Sequence, residues 1–250
     1  MELPDIVHIE AAGYGGLVAR SPRGLPPVFM AFEAYRRVLE QFPNLRRVHI
    51  GGAGDPLLHP RFFDMVRHAA ERGLDVSADS LLTGLSAERA EACVESGLRR
   101  INVPFDAQNA VLQRNLKRLH EAKRRLSATY PKVFLGTAAV ALAGSRCDRP
   151  WRAVYLSASC EALPCDRVKG LRRPSFGSMH KEGALKVWNR EEFRAFRERL
   201  ASDAVPEVCA GCELRHSPLD FGQNAAAWSE STTPPPSAQS STTPPRPTAA

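Results

Sequence analysis

No cysteine precedes Cys93, so residues 1–92 have no thiolate to offer a metal or a disulfide. No run of about 18 apolar residues occurs, which excludes an obvious membrane-spanning helix. The opening stretch, MELPDIVHIEAAG, has no basic segment ahead of an apolar core. No secretory signal is therefore visible, and the cytoplasm is the expected location. Lysine is scarce: of 34 basic residues six are lysine and the rest arginine. Heavy use of Arg, Ala and Pro reads as a coding bias, which discounts the formal charge of +7 as a guide to partners. Pairs such as Arg46-Arg47, Arg99-Arg100 and Arg124-Arg125 fall at helix ends or on a helix face and read as solvated surface. No aromatic–basic stacking platform or helix-turn-helix pattern accompanies them, so a specific nucleic-acid partner is not expected.

What is present fits a soluble globular chain. Apolar residues make up 43% and charged residues 24%, and 250 residues allow one good-sized domain or two small ones. Asp5–Ala11 reads as a strand, and Phe32–Phe42 spaces its apolar positions helically. Arg47–Ile50 is a short strand ending in Gly51-Gly52. Pro60 then opens a helical stripe of Phe62, Phe63, Met65, Val66 and Ala69 that stops at Gly73. Leu74–Ala78 is a strand, Ser86 caps the next helix, and Gly97 ends it. Arg100–Val103 is a strand, Ala110–Ala128 a long basic helix, and Val133–Leu142 a fifth strand. This alternation predicts an α/β protein with a parallel sheet, whose ligand site lies where the strands end. The segments that follow strands are Ala12–Arg23, Gly51–His59, Asp79–Leu85 and Pro104–Asn109.

After Leu142 the pattern changes. Residues 147–215 hold five of the six cysteines, one expected hairpin (Ala153–Ser157 with Ala162–Cys165) and one helix (Asn189–Ser202). From about Ser229 the chain reads SESTTPPPSAQSSTTPPRPTAA, too poor in apolar side chains to offset ordering entropy, and is expected to be a disordered tail. The divisions are therefore residues 1–145, 146–216 and 229–250.

Cys209-Ala210-Gly211-Cys212 is a CxxC pair, which in a cytosolic chain reads as redox or metal-binding before it reads as a disulfide. It lies past a helix and after Pro206, not on a strand–helix turn, which favours metal over a thioredoxin-like role. Cys147 and Cys165 are candidates to complete a four-thiolate site, and Cys160 is either a ligand or a neighbour. Cys93, among alanines in a helix, reads as a buried apolar residue. Spacing leaves iron–sulfur, zinc and no metal all open. Iron–sulfur leads, because zinc ribbons pair two knuckles whereas clusters accept scattered ligands.

Several stretches, in order over residues 4–215, resemble the radical SAM superfamily with a C-terminal SPASM or twitch module. Residues 48–60, VHIGGAGDPLLHP, resemble the glycine-rich GGEP strand end, with Asp55 where Glu is usual. Residues 96–106, SGLRRINVPFD, resemble its fourth-strand segment. Cys147-Asp148-Arg149-Pro150-Trp151 resembles CxxPW, residues 159–165 resemble DGxVxPC with Cys160 at the usual Gly, and residues 205–212 resemble the closing CxxC. The resemblance implies a truncated partial (β/α) barrel of about five parallel strands with a small Cys-rich C-terminal module, one unit short of the family barrel. It puts Cys147, Cys165, Cys209 and Cys212 at the ligand positions of an auxiliary [4Fe-4S] cluster and makes Cys160 a non-ligand. At the CxxxCxxC that would bind the radical-generating cluster it finds Gly13, Leu17 and Arg20.

The expected function is therefore a degenerate radical SAM/SPASM-like iron–sulfur protein, a pseudoenzyme serving as a binding, scaffold or electron-transfer partner for a protein or peptide. One alternative is a SAM-binding enzyme. It would use the N–H groups around Gly51, Gly52 and Gly54, with Asp55 accepting from the amino group of S-adenosylmethionine. Another is a structural zinc protein. His49 and His59 flank that loop and read as structural hydrogen-bonders. No Ser-His-Asp pattern and no paired carboxylates are evident in the sequence.

Overall fold

The computed structural model describes residues 1–13, 28–104, 109–136, 147–166, 168, 174–202, 204–212 and 228–232. The chain opens with β1 (Ile6–Ile9), a small antiparallel pair β2 (Ala12–Gly13) and β3 (Val28–Phe29), and α1 (Phe32–Glu40). Alternation continues through β4 (Arg47–Ile50), a 3-10 turn (Pro56–Leu58), α2 (Phe62–Glu71), β5 (Asp75–Asp79), α3 (Ala87–Glu95), β6 (Arg100–Pro104), α4 (Ala110–Arg125) and β7 (Lys132–Gly136). Local chemistry sets these boundaries. Ser86 Oγ accepts from the Arg89 amide at 3.2 Å and Asn109 Oδ1 accepts from the Leu112 amide at 3.0 Å, each satisfying an orphan donor of a helix start. Lys123, Arg124 and Arg125 end α4, where the dipole favours cations.

The later region contributes α5 (Arg149–Arg152), β8 (Ala153–Leu156), β9 (Ala162–Leu163), α6 (Met179–Glu182), α7 (Ala184–Trp188), α8 (Glu191–Ala201), α9 (Glu207–Ala210) and β10 (Trp228–Glu230). The sheet has eight strands in the order β10-β7-β6-β5-β4-β1-β8-β9. The five expected parallel strands are all present. A sixth, β8, pairs parallel with β1 in the register Ile6↔Ala153 to Ile9↔Leu156. This alters one reading. Ala153–Leu156 and Ala162–Leu163 do form the expected antiparallel hairpin, but the hairpin extends the main sheet beside β1. All four residues of β8 are buried, so both faces of the strand are covered.

The tail is the second difference. Ser229 and Glu230 lie in β10, antiparallel to β7, and the Lys132 ammonium meets the Glu230 carboxylate at 3.3 Å. The tail therefore begins after a short edge strand. Residues 233–250 lie outside the described residues.

The period of two in each strand sorts side chains onto two faces. Val7, Ile9, Val48, Ile50, Val76, Ala78, Ile101, Val103, Val154 and Leu156 are buried in one apolar core with α1 to α4. The later helices join that core through Met179, Val187, Trp188 and Phe193. Trp188 is fully buried. Its indole N–H donates to the Glu2 carbonyl at 2.8 Å, its ring meets Phe193 at 5.1 Å, and the Arg197 guanidinium lies 3.8 Å above it. Trp188→Ala is expected to cost about 3–5 kcal/mol in chemical denaturation, because it opens a cavity and strips a buried cation of its aromatic face. A loss below about 1 kcal/mol would contradict this packing.

Candidate functional site

The loop after β4 carries the candidate ligand-binding residues Gly51, Gly52, Gly54 and Asp55. Three of its backbone donors are engaged within the protein. The Gly51 amide donates to the Ile9 carbonyl at 2.9 Å, the Gly54 amide to the Ala12 carbonyl at 3.1 Å, and the Ala53 amide to Glu10 Oε2 at 3.2 Å. A Cβ at Gly54 would stand 2.6 Å from the Ala12 carbonyl oxygen, so the glycine permits loop and β2 to touch. Asp55 is also committed. Its Oδ1 accepts from the Leu57 amide at 3.0 Å and Ser80 Oγ at 2.7 Å, and its Oδ2 from the Leu81 and Thr83 amides at 3.1 and 3.0 Å. Four acceptor positions are the usual capacity of a carboxylate. Asp55 ties the β4 loop to the β5 loop, and its capacity is spent on the protein.

Glu10 stands just past the end of β1 and is almost wholly buried. The Tyr155 hydroxyl donates to its Oε2 at 2.6 Å, beside the Ala53 amide. A Cβ at Gly13 would collide with this carboxylate, and one at Gly52 would lie 2.7 Å from the Tyr155 hydroxyl. Gly13 is the first of the three positions where the family resemblance expects cluster thiolates. Leu17 and Arg20 lie outside the described residues. A Cβ at position 13 would meet the Glu10 carboxylate where it now lies.

Behind this strand end, the inner face of the sheet is polar. His8, His49, Ser77 and Asn102 are all buried. Ser77 Oγ lies 2.9 Å from His49 Nδ1, and His49 Nε2 lies 3.3 Å from Asp79 Oδ2. Asn102 Nδ2 donates to Asp79 Oδ1 at 2.7 Å, and Arg100 Nε donates to Asn102 Oδ1 at 2.7 Å. The His8 ring meets His49 at 4.5 Å and Tyr155 at 4.7 Å, both edge to face. A Ser–His–Asp line therefore exists in space, although none was evident in the sequence. The Ser77 hydroxyl is buried in the floor of the sheet, which suits a polar layer rather than a nucleophile. Burial pushes the Asp79 carboxyl up, but His49 beside it and the Asn102 amide outweigh burial and hold it below the usual carboxylate range. Burial, with His49 alongside, pushes His8 down to about 4, against a hydrogen bond to the Gly51 carbonyl. The sequence signal for this face was polar residues at alternate positions of otherwise apolar strands. His59 is structural, as expected: Nε2 meets the Met30 carbonyl at 2.9 Å, and Nδ1 accepts from the Arg61 amide at 3.0 Å.

The six cysteines are free thiols. Cys93 is buried and its thiol is pushed up to about 12 by burial; Cys160 is pushed up to about 11 by burial and Glu161. Cys160 takes φ 60°, the left-handed backbone that favours glycine, which accounts for the residue type the resemblance expects there. Cys147, Cys165, Cys209 and Cys212 are all partly accessible. Arg149 Nη1 reaches Cys147 Sγ at 3.9 Å, and Arg149 shares a small cavity with Cys165 and Asp166. The Cys212 amide donates to the Cys209 carbonyl at 3.2 Å, closing the CxxC turn. Among the described residues, no three His, Cys, Asp or Glu side chains are gathered as a metal group. What is present is a Cys147/Cys165 half around Arg149 and a preformed CxxC half. The four thiols are the donor type a thiolate-held cluster takes, but this structure does not gather them.

Residues 147–213 match the SPASM family, an iron-sulfur cluster-binding domain. A stretch of 89 residues is 34% identical to the tungsten-containing aldehyde ferredoxin oxidoreductase cofactor-modifying protein of Pyrococcus furiosus. That match covers 33% of this chain and 25% of the relative, so it spans a quarter of that protein's length. The fold is similar to that of BtrN in complex with AdoMet and 2-DOIA, with a TM-score of 0.56 and 15% identity over 80% of this chain and 88% of BtrN. An open conformation of BtrN gives 0.57 and 17% over 84% and 92%. SuiB of Streptococcus suis bound to S-adenosylmethionine gives 0.50 and 12% over 78% of this chain and 66% of SuiB. At these identities the likeness is one of fold. With the SPASM match it bears out the recognition of a radical SAM-like fold carrying a C-terminal iron–sulfur module.

Two outcomes follow. Asp55→Ala leaves three backbone amides and a hydroxyl without their acceptor and is expected to cost about 2 kcal/mol in chemical denaturation. An unchanged midpoint would refute the bridging role. His8 takes up a proton near 6.5 when unfolded but only near 4 when folded. Its contribution is complete above pH 6.5 and is lost as pH falls toward 4, by up to about 3 kcal/mol. His8→Phe is expected to flatten the stability profile across that window; equal slopes in both proteins would contradict it.

Proposed function

We propose that this radical SAM-like iron–sulfur protein holds one auxiliary-type [4Fe-4S] cluster and acts as a binding, scaffold or electron-transfer partner without generating a radical. The observation that carries the reading is the buried Glu10 carboxylate, bonded by Tyr155 and Ala53 against Gly13, in a chain with no cysteine before Cys93. No thiolate is available at that strand end, and a carboxylate takes up the space. The SAM-binding alternative has less support, because the acceptor positions of Asp55 and most loop amides already serve the protein.

Cys147, Cys165, Cys209 and Cys212 would hold the cluster, and they all fall within the SPASM match. A bound cluster supplies one-electron chemistry. The chain's own part is to keep two thiols beside Arg149 and two on the CxxC turn, all partly open to a partner surface. A protein or peptide partner is favoured, since one relative carries the name tungsten-containing aldehyde ferredoxin oxidoreductase cofactor-modifying protein. No helix among the described residues is long and apolar enough to cross a membrane, and the cytoplasm remains the proposed location.

Anaerobically purified full chain tests the reading. About four irons with matching sulfide and a broad band near 400 nm are expected, lost in Cys209→Ser, with no 5′-deoxyadenosine formed from S-adenosylmethionine under reductant. Zinc in place of iron would replace this reading with a structural metal protein. 5′-Deoxyadenosine above a reductant-only control would overturn the absence of radical chemistry.

A further inference from the structure

The starts of the parallel strands carry a groove of their own. The registers Arg47↔Asp75, Ser77↔Arg100 and Arg100↔Lys132 bring the helix-to-strand turns to one edge of the sheet, opposite the Glu10 and Asp55 loops. Between these turns lies a cavity of about 650 Å³, a volume usual for a ligand site. Leu74, Val94 and Ala128 supply its apolar surface. Gly73, at φ 76°, leaves it open, because a Cβ there would meet nothing within 4 Å. Tyr130 is a half-buried wall, with the Arg99 guanidinium 4.5 Å from its ring centroid. The walls are fixed. A Cβ at Gly97 would stand 2.6 Å from the Ala70 Cβ, so α2 and the end of α3 pack closely. Lys123 Nζ donates to the Pro131 carbonyl at 2.7 Å, and the Lys132 amide donates to the Arg99 carbonyl at 3.0 Å. A groove formed in advance binds without an ordering cost of its own.

The chain leads its own segment toward this groove. β10 runs antiparallel to β7, so it leaves the sheet at the start of β7. There the Ser231 amide donates to the Val133 carbonyl at 2.7 Å, and His120 Nε2 lies 3.2 Å from Ser231 Oγ. Tyr130 stands three positions before Val133. The sequence after Thr232 reads TPPPSAQ, in the segment beyond the described residues. A proline run favours the polyproline II helix, which advances about 3.1 Å per residue, so four residues from Thr233 reach about 12 Å. β6, which Arg99 precedes, is two strands from β10, a separation of about 10 Å. Proline has no backbone N–H to satisfy, loses little freedom on binding and packs on aromatic-lined grooves. After Glu230 the sequence carries no acid, so nothing in it opposes Asp75 and Glu95, which also line the groove. We propose that this groove is the docking site of the chain's own proline run, residues 234–236, with Tyr130 as its aromatic wall.

The test is hydroxyl-radical footprinting of the full chain, read at Tyr130 by mass spectrometry. A bound segment covers most of a contact residue, so Pro234→Ser, Pro235→Ser and Pro236→Ser together are expected to raise Tyr130 oxidation about threefold. Phe29, 38% exposed in β3, reports on the rest of the fold and should not change. Tethering supplies an effective concentration of about millimolar, so a millimolar excess of the peptide TTPPPSAQ is expected to restore protection in the triple variant. The peptide TTSSSSAQ should not. Ala128→Leu fills the groove and leaves the tail sequence intact. It is expected to speed proteolysis within residues 237–241 by a similar factor. Equal Tyr130 oxidation in wild type and triple variant overturns the proposal, whether the groove is empty or holds another molecule. So does equal protection by both peptides, or unchanged cleavage in Ala128→Leu. A matching rise at Phe29 assigns the effect to folding and overturns it as well.

Discussion

The parallel pairing of β8 with β1 brings together everything the site depends on. β8 is distant in sequence, yet its register against β1 sets Tyr155 beside His8 and its hydroxyl on Glu10. The same strand starts where α5 ends, so it also fixes Arg149, and with it the Cys147 and Cys165 neighbourhood, against the inner face of the sheet. Barrel and cysteine region are therefore joined by backbone hydrogen bonds and one apolar core.

At the mouth of the sheet the decisive chemistry is how a buried carboxylate is satisfied. An ionised side chain in a poorly solvated site is costly unless donors surround it. Glu10 has a tyrosine hydroxyl and a loop amide; Asp55 has three amides and a serine hydroxyl. Both are therefore fixed in place, and both consume the donors and acceptors that a small ligand would need. At the strand end where the family resemblance puts thiolates and an acidic residue, Glu10 and Asp55 are held by internal hydrogen bonds. The cysteine half of the molecule keeps its thiols accessible, which is why the functional reading moves there.

Much of this was legible in the sequence because it is local. The helix starts at Ser86 and Asn109 are capping chemistry, and the parallel α/β order follows from alternating apolar periods. The Cys209/Cys212 pair stands out because CxxC spacing is a linear signal. The position of β8 was not: AVYL is a short apolar run that can sit in a hairpin, a sheet or both. The edge strand around Ser229 was hidden because Ser, Thr and Pro follow it, and its pairing with β7 is distant in sequence. Asp55 looked like a ligand acceptor because its partners, Ser80, Leu81 and Thr83, lie in another loop. The polar layer of His8, His49, Ser77 and Asp79 escaped the sequence reading, because which of these residues touch depends on register between strands.

The central proposal is that Glu10 and Asp55, committed to internal hydrogen bonds, leave this strand end without a site for S-adenosylmethionine. Titration calorimetry of the iron-loaded chain with S-adenosylmethionine tests it most directly. The account predicts no saturable heat up to millimolar ligand. Saturable one-site binding that Asp55→Asn weakens would show the loop to be an open site and would contradict it.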